Sequence, residues 1–236
     1  MEILLVNDDG YKSEALNKLK EILKDYGNVT VLAPNDAMSG KSIALTIYEP
    51  FELIEHGNNV YSIKGTPADC VSFGLTSLDK KFDLVVSGIN YGWNLTYDTM
   101  HSGTCGACIE SLMYNTPAIA FSMERNHNEM YEYVKLALDY IFSKKMISNE
   151  YFLNVNFPSG NEVKGIKFTK LARRNDKRYY ENVNNIIYPK RIINELPLPN
   201  DTDVYAVNNG YISICPMTAN VFSETVYNYI KDDKNI

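Results

Sequence analysis

The feature that most constrains this fold is an alternation: short, uninterrupted apolar runs are each followed by a segment of helical period. Ile3–Asn7 is the first run, and its lack of a two-residue alternation marks a strand buried on both faces. Ser13 then offers a helix cap, and Ala15, Leu16, Leu19, Ile22, Leu23 and Tyr26 recur at helical spacing. Gly27 stands where a helix stop is expected. Val29–Ala33 is the second buried strand, halted by Pro34. The rhythm continues through Val60–Ile63, a helix from Pro67 to about Leu78, Phe82–Ser87 and a helix from about Thr104 to Tyr114. Ala118–Ser122, a helix near Glu129–Phe142 and Tyr151–Asn156 complete it. This pattern predicts a three-layer α/β/α sandwich, with a mostly parallel, Rossmann-like sheet covered by helices on both faces.

The pattern changes after Pro158. Short strands are predicted at Gly165–Leu171, Arg178–Glu181, Ile186–Tyr188, Val204–Val207 and Tyr211–Cys215, with Pro189–Asp203 as a loop and a last helix from about Ala219 to Ile230. The 236 residues, 45% of them hydrophobic, suffice for one α/β domain. Residues 1–236 are therefore read as one domain, with a core over 1–157 and a β-rich extension over 158–236.

A net charge of −6 argues against a broad electrostatic grip on a nucleic-acid polymer. It also means that an anionic substrate would need local positive charge, which a bound cation can supply. The opening MEILLVNDDG lacks the basic start and apolar run of an export signal, and no stretch approaches a membrane span. With four cysteines (Cys70, Cys105, Cys108, Cys215), the expectation is a cytoplasmic protein with reduced thiols and no membrane partner.

Three polar clusters fall just beyond the carboxyl ends of predicted buried strands. Asp8 and Asp9 follow the first, Ser39 and Gly40 lie in the loop after the second, and Ser87, Gly88 and Asn90 end a third. In open parallel sheets ligands bind outside these ends. Two carboxylates, a hydroxyl and an amide carbonyl are hard oxygen donors, suited to magnesium or manganese rather than zinc. Adjacent carboxylates repel unless a cation lies between them. An octahedral ion held by four such ligands keeps places for water and a phosphate oxygen, and can turn the water into a nucleophile. Ser102-Gly103-Thr104 opens a predicted helix whose free N–H groups and dipole favour an anion. Lys41 and His101 are further candidates for phosphate contact.

Other signals are weaker. Cys105-Gly106-Ala107-Cys108 has dithiol spacing but lies inside the anion-binding helix and has no second pair for zinc. His56, His101 and His127 are scattered. The chain has no G-x-S-x-G elbow, no G-x-x-x-x-G-K phosphate loop and no G-x-G-x-x-G, which disfavours a serine hydrolase, an NTPase and a dinucleotide oxidoreductase.

Six segments in order, ILLVNDDG (3–10), AP…SG.S..LT (33–46), GTPADCV (65–71), SGINYGWNL (87–95), SGT…E (102–110) and TD..A...GY.S..P (202–216), resemble the SurE (survival protein E) family of nucleoside monophosphate phosphatases. The resemblance implies a divalent-metal 5′- and 3′-nucleotidase. It implies one Mg2+ or Mn2+ ion on Asp8, Asp9, Ser39 and Asn90, and phosphate beside Gly40, Asn94, Ser102, Gly103 and Thr104. Asp8 and Asp9 are also the candidate catalytic groups. They would orient or deprotonate the attacking water, and a covalent aspartyl-phosphate is the other route the residues allow. The family likeness further implies a homodimer or homotetramer built through the β-rich extension. Thr96 departs from the family pattern where glycine is usual, His101 where tyrosine is common, and Ile43 where a polar residue is frequent. None is a ligand position, so the departures bear on loop shape and base preference. The alternative activity is a broader acid phosphatase or exopolyphosphatase using the same site.

Overall fold

The computed structural model describes residues 1–124, 130–160, 162–173, 176–193 and 197–231. His127 and Glu129 lie outside them.

The chain forms β1 (Glu2–Val6), α1 (Glu14–Leu23), β2 (Asn28–Pro34), β3 (Leu53–Gly57), β4 (Val60–Ile63), α2 (Pro67–Ser77) and β5 (Leu84–Tyr91). A short 3-10 turn (Thr96–Met100) leads into α3 (Gly103–Met113), β6 (Ala118–Met123), α4 (Met130–Ser143), β7 (Phe152–Asn156) and β8 (Gly165–Phe168). Then come β9 (Asp176–Val183), β10 (Ile186–Ile193), α5 (Asp203–Asn208), β11 (Tyr211–Met217) and α6 (Glu224–Lys231). Nine strands make one sheet in the order β3-β4-β2-β1-β5-β6-β7-β11-β8, while β9 and β10 form a separate ribbon. The pairs joining β4, β2, β1, β5, β6 and β7 are all parallel, as predicted for strands that alternate with helices.

Side-chain parity along β1 builds the three layers. Ile3 and Leu5 belong to the core on one side of the sheet, together with Ala15, Leu16 and Leu19 of α1 and Val134 and Leu138 of α4. Leu4 and Val6 face the other way, into the core that also holds Val71 of α2 and Ala107 and Cys108 of α3. These four side chains are fully buried, each contributing roughly 1.5–3 kcal/mol relative to exposure. From Ile3 to Val6 the strand carries no polar residue for this reason.

Several expectations are corrected. Val204–Val207 is helical, within α5, because Asp203, Ala206 and Val207 are buried at helical spacing and α5 packs on β11. The β-branched valines suggested a strand, and tertiary packing overrode them. β3 pairs at the sheet edge without an obvious sequence signal. The expected loop from Pro189 is strand as far as Ile193, since a two-stranded ribbon leaves alternate N–H groups free and tolerates proline. Asn184 and Asn185, both at positive φ, turn that ribbon. Ser13 stands at the start of α1 without a side-chain cap bond, and α1 ends at Leu23, before Gly27. The last helix begins at Glu224 rather than near Ala219. No helix among the described residues is long and apolar enough to cross a membrane.

Among the described residues, the Asp98 carboxylate ties the ribbon to the body. Arg178 and Arg191 are cross-strand partners, a like-charge pair that would repel. Asp98 in the 3-10 turn accepts from both, at 2.8 and 2.9 Å. These ion pairs are partly solvated, so their effect is local and on the order of 1 kcal/mol. Asp98→Ala should accelerate amide hydrogen exchange across 176–193 while moving the global melting temperature by less than about 4 °C. Unchanged exchange in the ribbon would show that the clamp does not hold it.

Candidate active site

The sheet order places the site. From β1 the chain first builds outward through β2 and β4, then returns and builds the other way through β5, β6 and β7. Strand order therefore reverses between β1 and β5, and the crevice outside their carboxyl ends is the natural ligand position. Asp8 and Asp9 leave β1 there, and Ser87 on β5 is in register with Val6.

Parity carries Asp8 to the α3 face, after Leu4 and Val6. It is 4% exposed, and its Oδ1 accepts from Thr104 Oγ1 at 2.9 Å across 96 residues of sequence. A Cβ on Gly103 would meet the Asp8 Cβ at 3.0 Å, so glycine lets the helix start approach this carboxylate. The Ser102 Oγ caps α3 by accepting from the Cys105 N–H at 3.1 Å. The Gly103 and Thr104 N–H groups of the same turn have no acceptor within the helix, which suits an anion. Burial pushes the Asp8 carboxyl up to about 6; the Thr104 hydrogen bond opposes this and the Asp9 charge adds to it.

The loop after β2 is drawn to the same place by backbone and side-chain bonds. The Met38 N–H donates to the Asp8 carbonyl at 2.7 Å. The Ser42 N–H and Oγ donate to the carbonyls of His101 and Met100 at 3.1 and 2.7 Å. Thr46 donates through N–H to Asp69, the residue that completes the capping box of α2. Ser39, Gly40 and Lys41 lie between the first two anchors and are exposed at the crevice mouth. A Cβ on Gly106 would overlap the Ser42 carbonyl, so a glycine inside α3 lets this loop lie against the helix.

At the end of β5 the pairing with β6 slips between Ser87 and Asn90. The Asn90 Nδ2 donates to the Gly92 carbonyl at 2.6 Å, which leaves the amide oxygen as the donor for a cation. Asn94 is buried, with one amide hydrogen committed to Ser122 Oγ at 2.8 Å. Its carbonyl takes the side-chain amides of Asn154 and Asn156, at 2.8 and 3.1 Å.

Do these groups fit a divalent cation? The side-chain oxygens of Asp8, Asp9, Ser39 and Asn90 are hard donors of the kind a divalent cation takes; among the described residues no three His, Cys, Asp or Glu side chains gather. Ser87 Oγ, on β5, and Asn35 Oδ1, just after β2, are buried with no hydrogen-bond partner. Orphaned buried oxygens on or just beyond two of the three strands are expected where a polar ligand completes the site. The donor set fits.

The structure thus joins Asp8, Gly103 and Thr104 by direct contact, and ties the Ser39–Gly40 loop to Asp8 through Met38. Asn90 and Asn94 share the same sheet edge. His101 contributes its carbonyl, and its ring is exposed. Cys105 and Cys108 are fully buried free thiols, the first pushed up to about 12 and the second well above its ordinary value by burial, so the dithiol spacing is core packing. Sequence reasoning missed Gly106, Asp69, Asn154 and Asn156. An isolated helical glycine and the T-x-x-D pattern at Thr66 were the available signals; for asparagines on a buried strand there was none.

The family profile described as Survival protein SurE matches residues 3–178. A 5'-nucleotidase SurE of Clostridium botulinum (strain 657 / Type Ba4) is 40% identical over 234 residues, covering 92% of each chain. One from Thermoanaerobacter sp. (strain X514) is 37% identical, covering 98% of this chain and 96% of its own. The crystal structure of the SurE protein from Aquifex aeolicus superposes with a TM-score of 0.86 at 36% identity, covering 98% of both chains.

A carboxyl that titrates near 3.8 unfolded and about 6 folded binds protons better in the native state. Without cation, native stability is therefore lost as pH rises through that window, by about 3 kcal/mol for Asp8. In EDTA at pH 7, Asp8→Asn should melt roughly 6–12 °C above the unsubstituted protein, and the gap should close toward pH 4. Equal melting temperatures at pH 7 would contradict this account of the carboxylate.

Proposed function

This chain belongs to the SurE family, and from that premise we propose that it is a phosphoric monoester hydrolase that releases phosphate from nucleoside 5′-monophosphates, and from 3′-monophosphates in the same site. One observation carries the reading: a helix start fit for an anion is bonded to one of two adjacent carboxylates, at the switch point of a parallel sheet.

Asp8, Asp9, Ser39 and Asn90 would hold one Mg2+ or Mn2+. When bound, that ion supplies Lewis-acid stabilisation of phosphate charge and lowers the pKa of water. The chain's own residues do the rest. The N–H groups of Gly103 and Thr104 bind phosphate oxygens, with the Ser102 hydroxyl beside them. Gly40 and Asn94 border the phosphate from the facing loops. Asp9 orients the attacking water or takes its proton, while Thr104 fixes Asp8 so that the pair keeps its spacing. The nucleoside is left at the open crevice mouth. The exposed apolar residues of α6 (Val226, Tyr227, Tyr229, Ile230) and of the ribbon (Val183, Ile186, Ile187) favour a homodimer, or a pair of dimers, over a monomer. We place the enzyme in the cytoplasm, with residues 1–236 as one folding unit.

Phosphate release from AMP and GMP should vanish in EDTA and return with manganese or magnesium. Asp8→Asn should lower turnover by more than about 100-fold with excess metal, since even loss of a residue that merely supports a metal ligand costs 10–100-fold. Comparison with p-nitrophenyl phosphate and polyphosphate separates this reading from a broader phosphatase. A folded Asp8→Asn protein with undiminished activity would sink the site assignment, and unaltered turnover in EDTA would sink the metal.

A further inference from the structure

Between Asn94 and Ser102 the chain passes through a residue in a costly conformation. Thr96 has φ 53°, in the left-handed region that a β-branched side chain rarely adopts. Such a residue persists only when its surroundings hold it there. Thr96 is buried, and its N–H donates to Asp203 Oδ2 at 2.7 Å across 107 residues of sequence. The other oxygen of Asp203 accepts the N–H groups of Ala172 and Val204, both at 2.8 Å. Asp203 is 0% exposed, and no lysine or arginine among the described residues pairs with it. A buried carboxylate without a counter-cation is costly, and three N–H donors are what offset the cost here.

From these contacts we infer that Asp203 is a positioning residue for the active site: it holds Thr96 left-handed and thereby sets Asn94 on one side and the start of α3 on the other. The bonds connect in series. The Thr96 carbonyl accepts from Thr99 Oγ1 at 2.7 Å, and the Thr99 carbonyl accepts the Ser102 N–H at 3.3 Å. On the other side, Asn94 lies two residues away, its N–H and carbonyl held by Asn156 and Asn154 of β7. β7 and Asp203 therefore fix the two ends of one short segment, and the crevice geometry depends on both. A carboxylate is required at 203 because all three partners are donors. An isosteric amide would turn an NH2 toward one of them.

The inference rests on the phosphatase reading only for its kinetic readout. In Asp203→Asn, kcat should fall about 10- to 100-fold, as for a modest misplacement of binding groups, with a smaller change in KM. Glycine visits the left-handed region without strain. Adding Thr96→Gly to Asp203→Asn should therefore restore kcat at least about fivefold, a non-additive result that general destabilisation does not produce. Hydrogen exchange across 94–102 should quicken in the single variant and slow again in the double. If Asp203→Asn alone does not fold, recovery of folded protein on adding Thr96→Gly supports the assignment. Wild-type kcat and exchange in Asp203→Asn, or a defect that Thr96→Gly leaves untouched, overturns it. Should the unsubstituted protein release no phosphate from any nucleotide with manganese, the nucleotidase reading fails by itself, and exchange in the same variants still decides the role of Asp203.

Discussion

The crevice depends on the contact between the end of β1 and the first turn of α3, where Thr104 donates to Asp8 and Gly103 lets the backbones approach. Without it, a helix start and a carboxylate pair would be two ordinary features 96 residues apart. With it, groups attractive to a cation and groups attractive to an anion are held at one place. An acidic chain can accommodate a phosphate ester only where such opposite preferences meet, since its net charge of −6 repels the substrate elsewhere.

That arrangement has a thermodynamic consequence. Asp8 is buried beside Asp9, and its carboxyl is pushed up by burial first and by the neighbouring charge after it. A fold that kept this carboxylate only for stability would be better served by a neutral residue at neutral pH. The proposed cation would supply the compensation, and stability and chemistry would then oppose each other at the same side chain.

Regular secondary structure does not by itself hold the crevice loops. The segment after β2 is pinned by Asp8, His101, Met100 and Asp69. The segment after β5 is pinned by Asn154, Asn156 and Asp203 from beneath, and Asp98 ties it to the arginines of the outer ribbon. Most of these are side-chain bonds to distant backbone or to distant side chains. They allow irregular loops to be as fixed as the sheet that carries them.

The layered parallel sheet was legible in the sequence because burial on both faces leaves an unbroken apolar run, as at Ile3–Val6, and because helical period and strand period differ. The polar residues at strand ends were legible for the same reason, since a carboxylate pair following a fully buried strand has only the sheet edge to occupy. What the sequence could not determine is which distant residues meet. Val204 and Val207 suggested a strand until packing against β11 made them helical. Asp203 looked like the end of a loop until its burial and its bond to Thr96 emerged. Asn154 and Asn156 gave no signal, because their partners are backbone groups, which every residue possesses. Local period and burial are encoded residue by residue, whereas the meeting of Asp8 with Thr104, or Thr96 with Asp203, exists only once the sheet has brought its loops to one edge.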